Sequence, residues 1–138
     1  MNETIARIKK QFFTFRNGIL ADTLRKQGCY EIVFGLQVPQ IAEIARQHIP
    51  SMELADRLWS DRKVRESRLL ATYLFPPEEV SEEKAVSLAE DVATVEEADM
   101  LAFRLLKRLP FRDRLLETIK ENPGVSPYMI KTLSNHLA

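Results

Sequence analysis

The 138-residue chain holds 20 basic and 20 acidic residues, so its formal net charge is zero. This balance argues against a protein that coats nucleic acid by bulk electrostatic attraction. A hydrophobic content of 45%, a lone cysteine and the lack of a run of about 20 apolar residues predict one soluble, cytoplasmic domain over residues 1–138. Neither a disulfide nor a membrane contact is expected.

The charges are distributed unevenly along the chain. Residues 1–30 carry six basic and two acidic groups, residues 76–99 carry one and nine, and residues 100–138 carry seven and three. Two basic ends therefore flank an acidic middle. This pattern is compatible with a local basic surface, and equally with solvated helix faces that neutralise one another.

The first part of the chain predicts helices. Apolar spacing indicates a helix from a cap at Asn2 to about Phe15 and a second one over residues 19–26, with Gly28 as a left-handed stop. The segment YEIVFGLQV (30–38) has β-propensity, but no second strand exists to pair with it. We therefore expect no sheet.

The middle of the chain centres on one apolar stretch. Pro39 suits the first turn of a helix that Pro50 closes, and Ser51 is a good cap for the next one. The sequence LWSDRKVRESRLLATYLFPP (58–77) then predicts a single central helix. Arg65 and Arg68 share a face of it, where their guanidinium groups either meet acidic partners or await an anionic ligand.

The last part continues with short helices. Segments over residues 81–92, 95–109 and 112–121 follow, the second opened by a capping box at Thr94, and Pro127 starts the last helix. About nine helices result, with starts that recur about every 30 residues. This spacing favours stacked helix pairs over a closed bundle, which remains the alternative. Four residues are expected to be buried: Trp59, Leu70, Leu74 and Phe103.

Two stretches resemble a known family. FGLQVPQIAEIAR (34–46) and LADRLWSDRKVRESRLLATYL (54–74) are similar to motifs of the DNA alkylation repair proteins, which are DNA glycosylases built from HEAT-like helical repeats. The resemblance weakens over residues 90–106, and none is visible after Pro110. The chain thus resembles a shortened, divergent member.

The resemblance implies an all-α, right-handed superhelical stack of HEAT-like antiparallel helix pairs, with duplex DNA, alkylated or not, on the concave face. It implies excision of N3- or N7-alkylated purines by an acidic residue with nearby tryptophans. The family places its acid in a Trp-x-x-x-Asp pattern, which matches Asp99 here, but Val95 replaces the tryptophan. A later arginine and a second tryptophan have no match, so the catalytic set is incomplete and rapid base release is not expected.

Asp99 is notable without any family. It shares a helix face with Phe103 and Leu106, so a carboxylate heads an otherwise apolar face. One interpretation is structural, with an arginine such as Arg68 as its partner. The other is chemical: the carboxylate stabilises a cationic base or a developing oxocarbenium charge.

Basic and aromatic residues supply the remaining candidates. Arg104, Lys107 and Arg108 are predicted to form a patch on the opposite side of the Asp99 helix. Phosphate contacts are one interpretation of the basic groups, and a solvated helix face is the other. The basic candidates are Arg62, Lys63, Arg65, Arg68, Arg104, Lys107 and Arg108. Trp59 is either a packing residue or a base-stacking one.

Three functions remain open from the sequence. These are a DNA-binding module with residual glycosylase activity, a noncatalytic DNA-binding relative, and a helical-repeat scaffold that binds a protein partner. His48 and His136 are too few for a metal site, and no glycine-rich phosphate loop is present. Neither a metal nor a nucleotide cofactor is expected.

Overall fold

The computed structural model describes residues 1–26 and 28–138. Nine α-helices and no strand occur in these residues, which confirms the all-α prediction. No helix of the described chain is long and apolar enough to cross a membrane. The helices are α1 (Asn2–Thr14), α2 (Gly18–Arg25), α3 (Val38–Ala45), α4 (Met52–Trp59), α5 (Arg65–Leu74), α6 (Glu82–Glu90), α7 (Val95–Arg104), α8 (Arg112–Lys120) and α9 (Pro127–Leu137).

The chain divides into two compact units, Met1–Leu74 and Phe75–Ala138. In the first unit, which we call unit 1, α5 packs against α3 and α4. In the second, unit 2, α7 packs against α9 and α8 packs against α6 and α9. The prediction of a single domain over 1–138 stays a prediction, as does the superhelical stacking of the helix pairs.

Helix caps follow the sequence with one exception. The Ser51 side chain accepts the Leu54 N–H at 3.1 Å, and Thr94 accepts the Glu97 N–H at 3.0 Å, as predicted. The predicted cap at Asn2 is wrong, because Asn2 is the first helical residue and its side chain instead accepts a hydrogen bond from Arg57.

The single central helix predicted over residues 58–77 is also wrong. Helix α4 ends at Trp59, and α5 begins only at Arg65. The Ser60 hydroxyl donates to the Asp56 carbonyl at 2.8 Å, and the Asp61 carboxylate accepts from the Ser67 hydroxyl at 2.8 Å. Such short polar side chains stabilise turns in competition with the helix backbone.

The segment between α2 and α3 forms no sheet in the described part of the chain. The one ladder contact among its described residues is an isolated bridge between Ile32 and Val64. Gly35 has a φ of 85°, in the left-handed region. The predicted left-handed stop at Gly28 depends on residue 27 and lies outside the described residues. A Cβ on Gly35 would lie 2.3 Å from the Asn17 carbonyl oxygen, which leaves space for glycine alone.

Unit 2 departs from prediction in its longest helix. Helix α7 ends at Arg104, and a 3-10 turn over Leu106–Arg108 carries the chain to Pro110. The α conformation is disfavoured for the residue before a proline, and the tighter turn ends the helix earlier. Trp59, Leu70 and Leu74 are buried as predicted, but Phe103 is 37% exposed, so its predicted burial is wrong.

Candidate functional site

The outer face of α7 carries a stripe of exposed side chains. Val95, Asp99 and Phe103 follow one another at four-residue spacing, which places them on one face of the helix. Val95 is 62% exposed and the Asp99 side chain 63% exposed. The helix face that carries Asp99 was expected to be apolar and buried beyond the carboxylate. It is instead exposed to solvent from Val95 to Phe103.

Helix α9 provides the partner of Asp99. The Nε2 atom of His136 lies 2.9 Å from the Oδ1 atom of Asp99, and the histidine side chain is 24% exposed. The sequence analysis suggested an arginine such as Arg68 as the partner of Asp99, but the structure shows a histidine. The pair brings an acceptor and a titratable ring together at the surface.

The Phe103 ring joins this pair to two cations. Its centroid lies 5.7 Å from that of the His136 ring, and the Lys107 ammonium lies 3.9 Å from the Phe103 centroid. The Arg104 guanidinium lies 4.9 Å from the same centroid. Arg104 and Lys107 were predicted to lie on the side of the helix opposite Asp99, but both contact the ring of Phe103, which shares the Asp99 face. The 3-10 turn after α7 brings Lys107 over this ring. We call Asp99, Phe103, Lys107 and His136 the Asp99 cluster.

The basic residues of α5 have a different environment. Arg65 is 3% exposed, and its Nη1 atom donates to the Glu66 carboxylate at 2.7 Å and to the Leu36 carbonyl at 2.9 Å. Glu66 itself is fully buried and accepts the backbone N–H groups of residues 34–36 at 3.0–3.3 Å. Arg65 therefore meets an acidic partner, the first of its two alternatives, and helps to hold the loop before α3.

Arg68 and Trp59 form a buried stack. The guanidinium carbon of Arg68 lies 3.6 Å from the Trp59 ring centroid, and its Nη1 atom donates to the Trp59 carbonyl at 2.8 Å. Arg68 is fully buried and Trp59 is 5% exposed. The side chains of Arg65 and Arg68 thus do not present charge at the surface, and Trp59 packs in the interior, where it cannot stack on a base.

Three of the basic candidates are exposed. Arg62 and Lys63 lie in the turn between α4 and α5, where the Lys63 ammonium is 3.7 Å from the Glu31 carboxylate. Arg108 is exposed at the end of the 3-10 turn. No group of three or more metal-ligating side chains occurs in the residues that the structure describes.

A comparison with known families bears on this arrangement. The family model described as "DNA alkylation repair enzyme" matches residues 8–122, which is more than half of the chain. The chain belongs to the DNA alkylation repair enzyme family. No curated protein and no solved structure matches it.

Family membership gives this DNA alkylation repair protein a repair-like function with DNA as its partner. The match covers more of the chain than the stretches of resemblance between residues 34 and 106 do, and it includes Asp99. His136 lies outside it. The family match therefore carries no information about the role of His136 in the Asp99 cluster.

Sequence reasoning missed two residues of this family member. His136 was considered only as a metal ligand, and nothing local to it points to an acid 37 residues earlier. A signal existed for Glu66: residues 30–38 had no strand partner, so their backbone N–H groups needed acceptors elsewhere. A carboxylate in an apolar stretch was the best acceptor for them.

Proposed function

We propose that this protein binds duplex DNA with alkylated purines at the Asp99 cluster and releases the base slowly or not at all. The observation that supports this proposal is the exposed Asp99 carboxylate beside the exposed Phe103 ring. N7 alkylation gives guanine a positive charge, which a carboxylate attracts, and an aromatic ring offers a surface for an extruded base. We further propose that the antiparallel helix pairs within each unit are HEAT-like repeats.

The cations near the cluster suit the DNA backbone. Lys107 is partly exposed and Arg108 is exposed, and both follow the end of α7 at which Phe103 lies. Positive side chains beside a base-binding surface position the duplex through its phosphates. Arg62 and Lys63 are the corresponding exposed candidates of unit 1.

The same cluster accounts for the slow chemistry that we propose. The Asp99 carboxylate is held by His136, so part of its hydrogen-bonding capacity is already used. Val95, one turn earlier, supplies no aromatic ring. Catalytic groups that act as a unit lose most of their effect when one is missing. Binding without rapid release is the expected result.

A single-turnover assay tests this function. Duplexes that contain N7-methylguanine or N3-methyladenine are incubated with excess wild type, Asp99→Asn or Asp113→Asn, the last being an exposed acid of α8 that serves as the matched control. We expect tighter binding of alkylated than of unmodified duplex by wild type and the control, and loss of this preference in Asp99→Asn. Rapid excision that only Asp99→Asn abolishes would contradict the slow chemistry; equal binding of both duplexes by wild type would contradict the site.

A protein-binding scaffold is the second candidate function. It is favoured by exposed apolar side chains of unit 1, among which Phe13 is 55% and Ile19 86% exposed. Salt separates the two candidates. A phosphate-dominated complex weakens steeply from low to moderate ionic strength, whereas an apolar one does not. If no duplex binding is detected at low salt, DNA binding is excluded and the protein-binding scaffold is the remaining candidate.

A further inference from the structure

A second polar surface lies in unit 1, far along the chain from the Asp99 cluster. Helix α1 and the turn that follows α3 enclose an open depression of about 580 Å³. Arginine, lysine and histidine each contribute one side chain to its lining, and no acidic residue does. The lining consists of Arg7, Lys10, Gln11, Thr14, Gln47 and His48.

The charges of this depression are not compensated. Lys9, the neighbour of Lys10, lies 3.0 Å from the Asp61 carboxylate, and Arg46, near His48, pairs with Glu43. Arg7 and Lys10 have no carboxylate within 4.0 Å among the described residues. In a chain with equal numbers of acidic and basic residues, two adjacent cations that lack acidic partners mark a place for an external anion.

The pKa of His48 responds to the positive charge in this depression. Partial burial, and then the charge of Arg7, lower the pKa of its imidazole below the ordinary value of 6.5. Arg7 acts on the ring, Lys10 lines the same depression, and Glu43 on α3 forms an ion pair with Arg46. An anion in the depression would offset the charge of Arg7 and favour the protonated ring.

We propose that Arg7, Lys10 and His48 form a binding site for a phosphate group. The amide of Gln47 adds to it: its oxygen already accepts the Gln11 amide N–H at 2.8 Å, so its own N–H groups can donate to a bound anion. The guanidinium of Arg7, the ammonium of Lys10 and the N–H groups of Gln47 and His48 offer several donors. Together they match the several oxygens of a phosphate better than the two oxygens of a carboxylate.

The phosphate can come from a DNA backbone or from a free phosphate, and both present the same oxygens. The site does not require the function proposed for the Asp99 cluster. Binding and protonation are linked: an anion that raises the pKa of His48 must bind more tightly to the protonated form. At a separation of a few ångströms near the surface, we expect about a threefold to tenfold preference.

The two histidines of the chain make the test direct, because one lies in each unit. The ring Cε1–H resonances of His48 and His136 are followed by NMR from about pH 5 to pH 8, in chloride, in inorganic phosphate and with a short unmodified duplex. Matched ionic strength is kept throughout. We expect inorganic phosphate to raise the midpoint of the His48 titration and to leave that of His136 in place.

Variants complete the design. Arg7→Gln with Lys10→Gln should abolish the response of His48, whereas Lys26→Gln, another exposed lysine of unit 1, should preserve it. A His48 response to both anions assigns the site to phosphate in general, including the DNA backbone; a response to inorganic phosphate alone assigns it to a free phosphate. No His48 response to either overturns the inference, even if the His136 resonance shifts with DNA, which would support the Asp99 cluster separately.

Discussion

The Nε2 atom of His136 lies 2.9 Å from the Oδ1 atom of Asp99, so the last helix of the chain restrains the acid of α7. In the function that we propose, the imidazole and a cationic base compete for the same carboxylate. A hydrogen bond to an ionised carboxylate contributes about 1.5 kcal/mol or more, and less where solvent screens it as at Asp99, which corresponds to a severalfold effect on binding.

We therefore predict that His136→Leu binds N7-methylguanine duplex severalfold more tightly than wild type does, with little change for unmodified duplex. Fluorescence anisotropy with both duplexes measures this difference. Asn135→Ala, an exposed neighbour on α9, is the control and should bind as wild type does. Weaker binding of alkylated duplex by His136→Leu would show that the histidine assists the carboxylate and does not compete with it.

Glu66 is predicted to be a main determinant of the stability of unit 1. Glu66→Gln removes the buried charge that neutralises Arg65 and turns one acceptor of the loop N–H groups into a donor. Breaking a buried ion pair by removal of one partner costs about 3–5 kcal/mol. Urea denaturation followed by circular dichroism measures the loss. Glu43→Gln, which breaks an exposed pair, should cost less than about 1 kcal/mol, and a similar cost for both variants would refute the prediction.

Two glycines near the start of α2 should respond in opposite directions to the same substitution. Gly35→Ala places a Cβ against backbone atoms of Asn17 and Ala21 in a left-handed conformation, which costs at least about 1–3 kcal/mol. Gly18→Ala meets no atom within 4 Å and restricts the unfolded chain, so it should stabilise by up to about 1 kcal/mol. Thermal melting of both variants decides the point, and a loss of stability in each would contradict it.

The free energy of unfolding should depend on pH through His48. Because burial and Arg7 lower the pKa of the folded ring, the unfolded chain binds more protons as the pH falls below about 6.5. The contribution of His48 to the free energy of unfolding is fully present above about pH 6.5 and is lost as the pH falls towards the pKa of the folded ring. Urea titrations at several pH values should show this loss in wild type and less of it in His48→Gln. Parallel curves for the two proteins would exclude His48 as the source.

The helices and most of their caps could be predicted because their causes are local. The Ser51 and Thr94 caps act over three residues, and proline positions are visible in the sequence. Phe103 was misjudged because its helical face continues to Leu106, which is buried. The early end of α7 at Arg104 separates the two environments, and an apolar pattern does not locate such an end.

The polar contacts of the candidate sites could not be predicted from local patterns. Arg65 and Arg68 have the same charge and share a face, yet one meets a carboxylate and the other an indole ring. His136, the partner of Asp99, and the three N–H groups that Glu66 accepts lie 30 or more residues away along the chain. Residue types suggested that Asp99 needed a partner, but only the packing of α7 against α9 selects His136.

The hydrogen bonds of Glu66 also bear on the order of events in folding. They join residues 30–32 positions apart, whereas the hydrogen bonds of a helix join near neighbours. The chain must close this long loop before the carboxylate can accept any of the three N–H groups, and the entropy of closure is lost first. We therefore expect α4 and α5 to form early, and the connection between α2 and α3 to be the last part of unit 1 to become native and the first to open.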